Sequence, residues 1–306
     1  MNVREWALPV FTILMQVAIG AMFVLWLIRE IMGPRINPGQ LDRIIRNPIL
    51  VISLTTVAAM ISSHFHLSRP LHSFLAVLNF KSSWLSREIV FTLLFFLTTL
   101  LLWYLLNFEN DRRKLAWGLG WLANLFGGIV VYCMARIYLL PTQVAWNSAA
   151  MTISFYVTTL LLGIMTIACL MMLDLKFAEI KNTWDVDLRA QVIKYSLGWF
   201  AVFSFGLVIA SVIVTYFQIE YLRQGDIAAR TSLRLLFDLY LPIFFMRLIL
   251  LVTAASWLGH TAFQLYRRGA APQGLIVPVY MSCLLILVAE IIGRFLFYAT
   301  HVRVGI

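Results

Sequence analysis

Apolar residues gather along this chain into runs near twenty, separated by short polar breaks. That is the length of helix that crosses a hydrocarbon core of roughly 30 Å at about 1.5 Å per residue. Read in order, the runs predict about eight helical spans, at Leu8–Ile28, Ile49–Ser63, Glu88–Leu106, Leu115–Tyr138, Ser148–Leu173, Tyr195–Phe217, Leu236–Leu258 and Leu275–Ala299. The breaks carry stop signals such as Gly33-Pro34-Arg35, Asn110-Asp111-Arg112-Arg113-Lys114, Pro141-Thr142 and Arg267-Arg268-Gly269. The second span is short if it stops at Ser63, and extension to Leu67 would lengthen it. The longest polar connection, about Asp174 to Lys194, reads as a loop. The expected fold is therefore an all-α integral membrane protein, a single polytopic domain over residues 1–306 with no repeat and no soluble module. Barrel strands are excluded because the runs are too long and do not alternate.

Composition agrees with that pattern. The chain is 61% hydrophobic and 12% charged with mean hydropathy +0.87, too little polar surface to cover a soluble core. The net charge of +10 is not a nucleic-acid signature, because Lys and Arg are scattered singly over short loops. The first apolar stretch is too long for a signal-peptide core and is expected to be retained as a helix. Thirteen Lys and Arg fall on the face of the odd-numbered connections. Nine fall on the face of the termini, with Arg136 counted there and the intraspan Arg247 and Arg294 left out. The excess of positive charge expected inside then puts both termini on the outer, periplasmic face.

Three of the five histidines, His64, His66 and His72, lie in one loop with Arg69, close to Arg87 and Glu88. Ionisable groups at the edge of a membrane core are costly and point to a proton, ion or substrate site. Arg294, Tyr298 and His301, at the end of the last span, reach the same face, whereas His260 belongs to the opposite one. Each group also has a plainer role. His64 and His72 can be solvated loop side chains, Glu88 can complement the dipole of the helix it opens, and Glu290 and Arg294, four apart, can form an internal ion pair. A membrane haem would need histidines on facing helices at similar depth, and the only pairing to force, His66 with His301, lies near helix ends. Cys133, Cys169 and Cys283 stand alone in apolar runs, so this chain is expected to hold no iron–sulfur cluster, no zinc and no haem. A histidine with a carboxylate suits acceptance of the protons released in quinol oxidation, and would equally suit a proton-coupled transporter.

The sequence His66-Leu67-Ser68-Arg69-Pro70, with Phe74, Leu78-Asn79 and Leu85-Ser86-Arg87-Glu88-Ile89, resembles a motif of one family: the membrane-anchor subunit of anaerobic dimethyl sulfoxide reductases. The ending, Ala289-Glu290-Ile291-Ile292-Gly293-Arg294-Phe295-Leu296-Phe297-Tyr298, then His301 and Val304-Gly305, is similar to that family's last helix. Weaker matches are Pro141-Thr142 with Trp146, and Met246-Arg247. Ser68, His72 and Phe80 depart from the family pattern, which has Gly, Arg and Arg there, with Lys81 beside the last. The resemblance implies eight helices with outward termini and residence in the bacterial cytoplasmic (inner) membrane, in anaerobic respiration. It also implies oxidation of menaquinol from the quinone pool, with electrons passed to an iron–sulfur subunit that feeds a molybdopterin catalytic subunit. By motif, His66 and Glu88 take the roles at the quinol, with Arg69, Arg294 and His301 expected to complete its pocket. The alternatives are an anchor for another molybdoenzyme, of the polysulfide or tetrathionate reductase type, and a proton-coupled transporter.

Overall fold

The computed structural model describes residues 3–65, 77–109, 111–183, 185–269 and 271–302. It contains helices α1 (Val3–Met32), α2 (Pro38–His64), α3 (Trp84–Phe108), α4 (Arg113–Tyr138), α5 (Ala149–Ile180), α6 (Val186–Gln224), α7 (Ile227–Arg234), α8 (Leu241–Arg267) and α9 (Ile276–Ala299). A π-helical turn, Leu235–Leu239, joins α7 to α8, and a 3₁₀ turn, Pro272–Leu275, leads into α9. All but α7 are long and apolar enough to cross a membrane, giving eight candidate spans and no strand among the described residues.

Local chemistry starts several of these helices. Asn37 accepts from the Gly39 amide (2.9 Å) with Pro38 in the first turn of α2. Ser83, Ser148 and Asp226 cap α3, α5 and α7 through the amides of Ser86, Met151 and Ala229.

Helix boundaries differ from the sequence expectation: the seventh span starts at Leu241, after the π turn, and runs to Arg267, α1 and α6 run past their expected ends, and two further differences have a clear cause. The second span lengthens at its start, reaching back to Pro38, and ends at His64. The polar residues of that extra stretch are tolerated because Asp42 is paired with Arg29 (3.4 Å) and Arg113 (3.7 Å). The expected loop from Asp174 to Lys194 is mostly helix. Arg189 of α6 bridges Asp174 of α5 and Asp185 (2.8 Å), which pairs these charges and lets both helices run past their apolar segments.

Helix α1 is central. Met15, Ala18, Ala21, Met22 and Trp26 are wholly buried, and the helix lies between α2 and α4 on one side and α5 and α9 on the other. The α1–α5 crossing is close because both helices present glycine. A Cβ on Gly20 would lie 1.9 Å from the Thr159 carbonyl oxygen, and one on Gly163 would lie 2.2 Å from the Gly20 carbonyl carbon. Small residues at such crossings let backbones approach where lipid supplies no hydrophobic drive. Outside this pairing, α3 packs on α4, α6 on α5 and α8, and α9 on α8 and α5. With an even number of spans, the start of α1 and the end of α9 share one end of the bundle.

Candidate functional site

Toward that shared end lie the buried Glu88 and Arg294. The start of α1, the end of α2, the start of α3, the end of α4, the start of α5 and the end of α9 all meet there. Ser62 Oγ, near the end of α2, donates to the Ala7 carbonyl of α1 (2.9 Å) and ties two of them together.

Glu88 sits one turn into α3 and is 5% exposed. Its neighbour Arg87 is not its partner. The guanidinium instead donates to the carbonyls of Phe80 (3.0 Å) and Lys81 (2.6 Å) and stacks on Trp84. Among the described residues Glu88 makes no hydrogen bond or ion pair. A carboxylate so buried must take a partner or a proton. His66, Arg69 and His72 fall outside the described residues. His64 is exposed at the end of α2 with Nδ1 at the Met60 carbonyl (2.8 Å), and His260 is exposed at the opposite end of the bundle beside Gln264.

Arg294 is brought inward. It is 7% exposed, donates to Gln16 Oε1 of α1 (2.8 Å), and lies over the Phe155 ring of α5, 4.2 Å from its centroid. Gln16 in turn donates to the Phe155 carbonyl (2.9 Å), so one side chain locks α1, α5 and α9. Glu290 does not form the intrahelical pair with Arg294 that their spacing allows. It accepts from Thr158 Oγ1 (2.8 Å) and faces Arg247 of α8 at 3.6 Å, because packing turns it toward α5 and α8. Arg247 also donates to Ser211 of α6 (3.4 Å), and its stem fits against Gly293, where a Cβ would lie 2.6 Å from Nε.

His301 is placed by an aromatic stack. Its ring lies 4.8 Å from Trp146, which stacks on Phe297 at 4.9 Å and donates its indole N–H to the Phe297 carbonyl (2.9 Å). Tyr138 and Tyr298 share a short hydroxyl hydrogen bond, and Tyr138 meets Phe155 and Phe297 with centroids at 5.8 and 5.0 Å. A cavity of about 140 Å³ lies among α5, α6, α8 and α9, lined by Trp146, Phe155, Arg247, Glu290, Arg294 and Phe297 among others.

The structure thus places Glu88, Arg294 and His301 toward one end of the bundle, where Tyr138 of α4 and Tyr298 of α9 pair. Sequence reading did not single out Gln16, Tyr138, Phe155 or Thr158 as site residues. Gln16 alone had a usable signal, an amide in the middle of an apolar run, where an unpaired polar group is expensive. No group of three or more metal-ligating side chains occurs among the described residues.

Comparison with known proteins gives the family. The profile described as DMSO reductase anchor subunit (DmsC) matches residues 1–300. The anaerobic dimethyl sulfoxide reductase chain YnfH of Escherichia coli is 29% identical over 99% of this chain and 96% of its own length. An anaerobic dimethyl sulfoxide reductase chain of Haemophilus influenzae is 28% identical over 100% of this chain and 98% of its own. Eight apolar helices, the two end motifs and a profile match over nearly the whole length agree, and the chain belongs to the DMSO reductase anchor subunit (DmsC) family of multi-pass bacterial inner-membrane proteins.

Proposed function

We propose that this anchor oxidises menaquinol at the shared end of its bundle and passes the electrons to an iron–sulfur subunit, which delivers them to a molybdopterin catalytic subunit. The observation that carries this reading is Glu88, a buried carboxylate one turn into a membrane helix, with no partner among the described residues. Quinol oxidation releases two electrons and two protons, and each hydroxyl needs an acceptor as its proton leaves. His66 accepts the hydrogen bond of one hydroxyl, and Glu88 takes a proton and returns it to the aqueous side. Arg69, Arg294 and His301 complete the pocket. Arg294 supplies positive charge against negative charge developing on the quinol oxygens, while Trp146 holds the His301 ring in place. Residence in lipid suits the isoprenoid tail, which needs no aqueous route. With both termini on the periplasmic side, in keeping with the charge asymmetry of the loops, the iron–sulfur subunit docks at that same face.

The test is menaquinol oxidation by membranes carrying the assembled complex, for wild type, His66→Ala and Glu88→Gln. Removal of a positioned acid–base group is expected to slow turnover by about 100-fold or more, with the amount of membrane-bound partner unchanged. Undiminished turnover in both variants would place the chemistry elsewhere.

A further inference from the structure

We infer that the cavity among α5, α6, α8 and α9 is a second quinone headgroup pocket, adjoining the His66–Glu88 site and sharing Arg294 with it. The inference rests on the quinol reading above for the class of its ligand. Three ionisable side chains line this cavity from within membrane spans: Arg247, Glu290 and Arg294. Glu290 is taken by Arg247 and Thr158, and each guanidinium has to find acceptors at this depth. Arg294 is engaged with Gln16, and Arg247 gives one terminal nitrogen to Glu290 and Ser211. Arg247 Nε is fully buried and has no hydrogen-bond partner among the described residues. A buried guanidinium N–H left unpaired at a cavity wall calls for an acceptor from outside the chain.

The shape of the site narrows the acceptor. Phe155, Phe244 and Phe297 give it aromatic walls beside the charged groups, which suits a flat ring bearing acceptor oxygens. Helices α6 and α8 turn exposed apolar side chains outward at this level, with Ile213, Phe217, Phe245 and Ile249 among them, so the surroundings are lipid. A ligand arriving by that route carries an apolar tail. A quinone carbonyl oxygen meets both demands, accepting from Arg247 Nε while the ring lies against phenylalanine.

The local backbone is built around the same spot. Gly293 leaves the space that the Arg247 stem occupies, and the π-helical turn before α8 puts Leu236 on the cavity wall. Single π turns widen a helix locally and often occur at functional sites.

A photoreactive azido-naphthoquinone with an isoprenoid tail tests this in membranes carrying the wild-type complex. Labelled peptides are mapped by mass spectrometry, and labelling is competed with unmodified menaquinone. Competable labelling is expected in residues 150–158 and 290–297. Arg247→Gln, and Gly293→Ala, which leaves every charge in place and only crowds the arginine, should each lower that labelling by about tenfold, the worth of one charged hydrogen bond. Labelling confined to the α2–α3 rim, or cavity labelling that neither variant changes, would overturn the inference. The rim reading is tested separately by turnover of His66→Ala and Glu88→Gln. Cavity labelling that persists in His66→Ala supports two pockets, and cavity labelling lost in His66→Ala would reduce them to one.

Discussion

At the scale of single residues, the interior is organised by polar side chains that each hold more than one helix. Gln16 is the clearest case: its carbonyl oxygen accepts from Arg294 and its amide donates to the Phe155 backbone. Loss of an acceptor from a buried guanidinium costs about 1.5–3 kcal/mol. Gln16→Ala is therefore expected to lower the thermal midpoint of the detergent-solubilised protein, and Gln16→Glu, which restores the acceptor with a charge, to recover most of the loss. Equal destabilisation by both would mean that the amide donation to Phe155, absent from each variant, is the contact that matters. The sequence named Arg294 and Glu290 through their spacing of four, and spacing could not say that each would pair with a different helix. That outcome depends on which neighbours α9 packs against, and nothing local encodes it.

At the scale of elements, helix approach is controlled by glycine, and only some glycines are used that way. Gly20 and Gly163 put the α1 and α5 backbones in contact, whereas nothing lies within 4 Å of a Cβ placed on Gly128. Gly163→Val should destabilise the bundle by about 1–3 kcal/mol or more through overpacking against backbone that cannot yield. Gly128→Ala should be tolerated or slightly stabilising. Yield of folded protein after solubilisation reads both, and an unaffected Gly163→Val would deny the close crossing. Ion pairs set element length at the other end of the molecule. Arg189 with Asp174 and Asp185, and Asp42 with Arg29, let α5, α6 and α2 run past their apolar segments. Hydropathy alone truncates these helices, because it registers a charge without knowing that it is paired.

At the scale of the whole molecule, eight spans bring both ends of the chain to one face, with the buried Glu88 and Arg294 and the partly buried His301 near it. The opposite face carries the exposed ends of α5 and α8, with Lys181 and His260. Substituted-cysteine labelling with a membrane-impermeant maleimide tests the orientation. Val302→Cys is expected to react in intact spheroplasts and Lys181→Cys only after lysis. The reverse pattern would move the quinol end to the cytoplasm and would redraw where the iron–sulfur subunit docks. The expected electron route depends on that outcome.

The number and order of the membrane spans were legible in the order of residues alone, because a run of apolar residues long enough to cross a bilayer has almost no other soluble or membrane fate. So was the family, through two end motifs that survive as short contiguous strings, and so was the placing of Glu88, Arg294 and His301 toward one face. The pairings emerged only with the packed bundle: Arg294 with Gln16, Glu290 with Arg247 and Thr158, His301 with Trp146, and the cavity lined by several of these residues. The physical reason is range. Hydropathy and helix period act over a few residues, whereas these contacts join positions as far as 278 residues apart, and their geometry exists only once eight helices have packed.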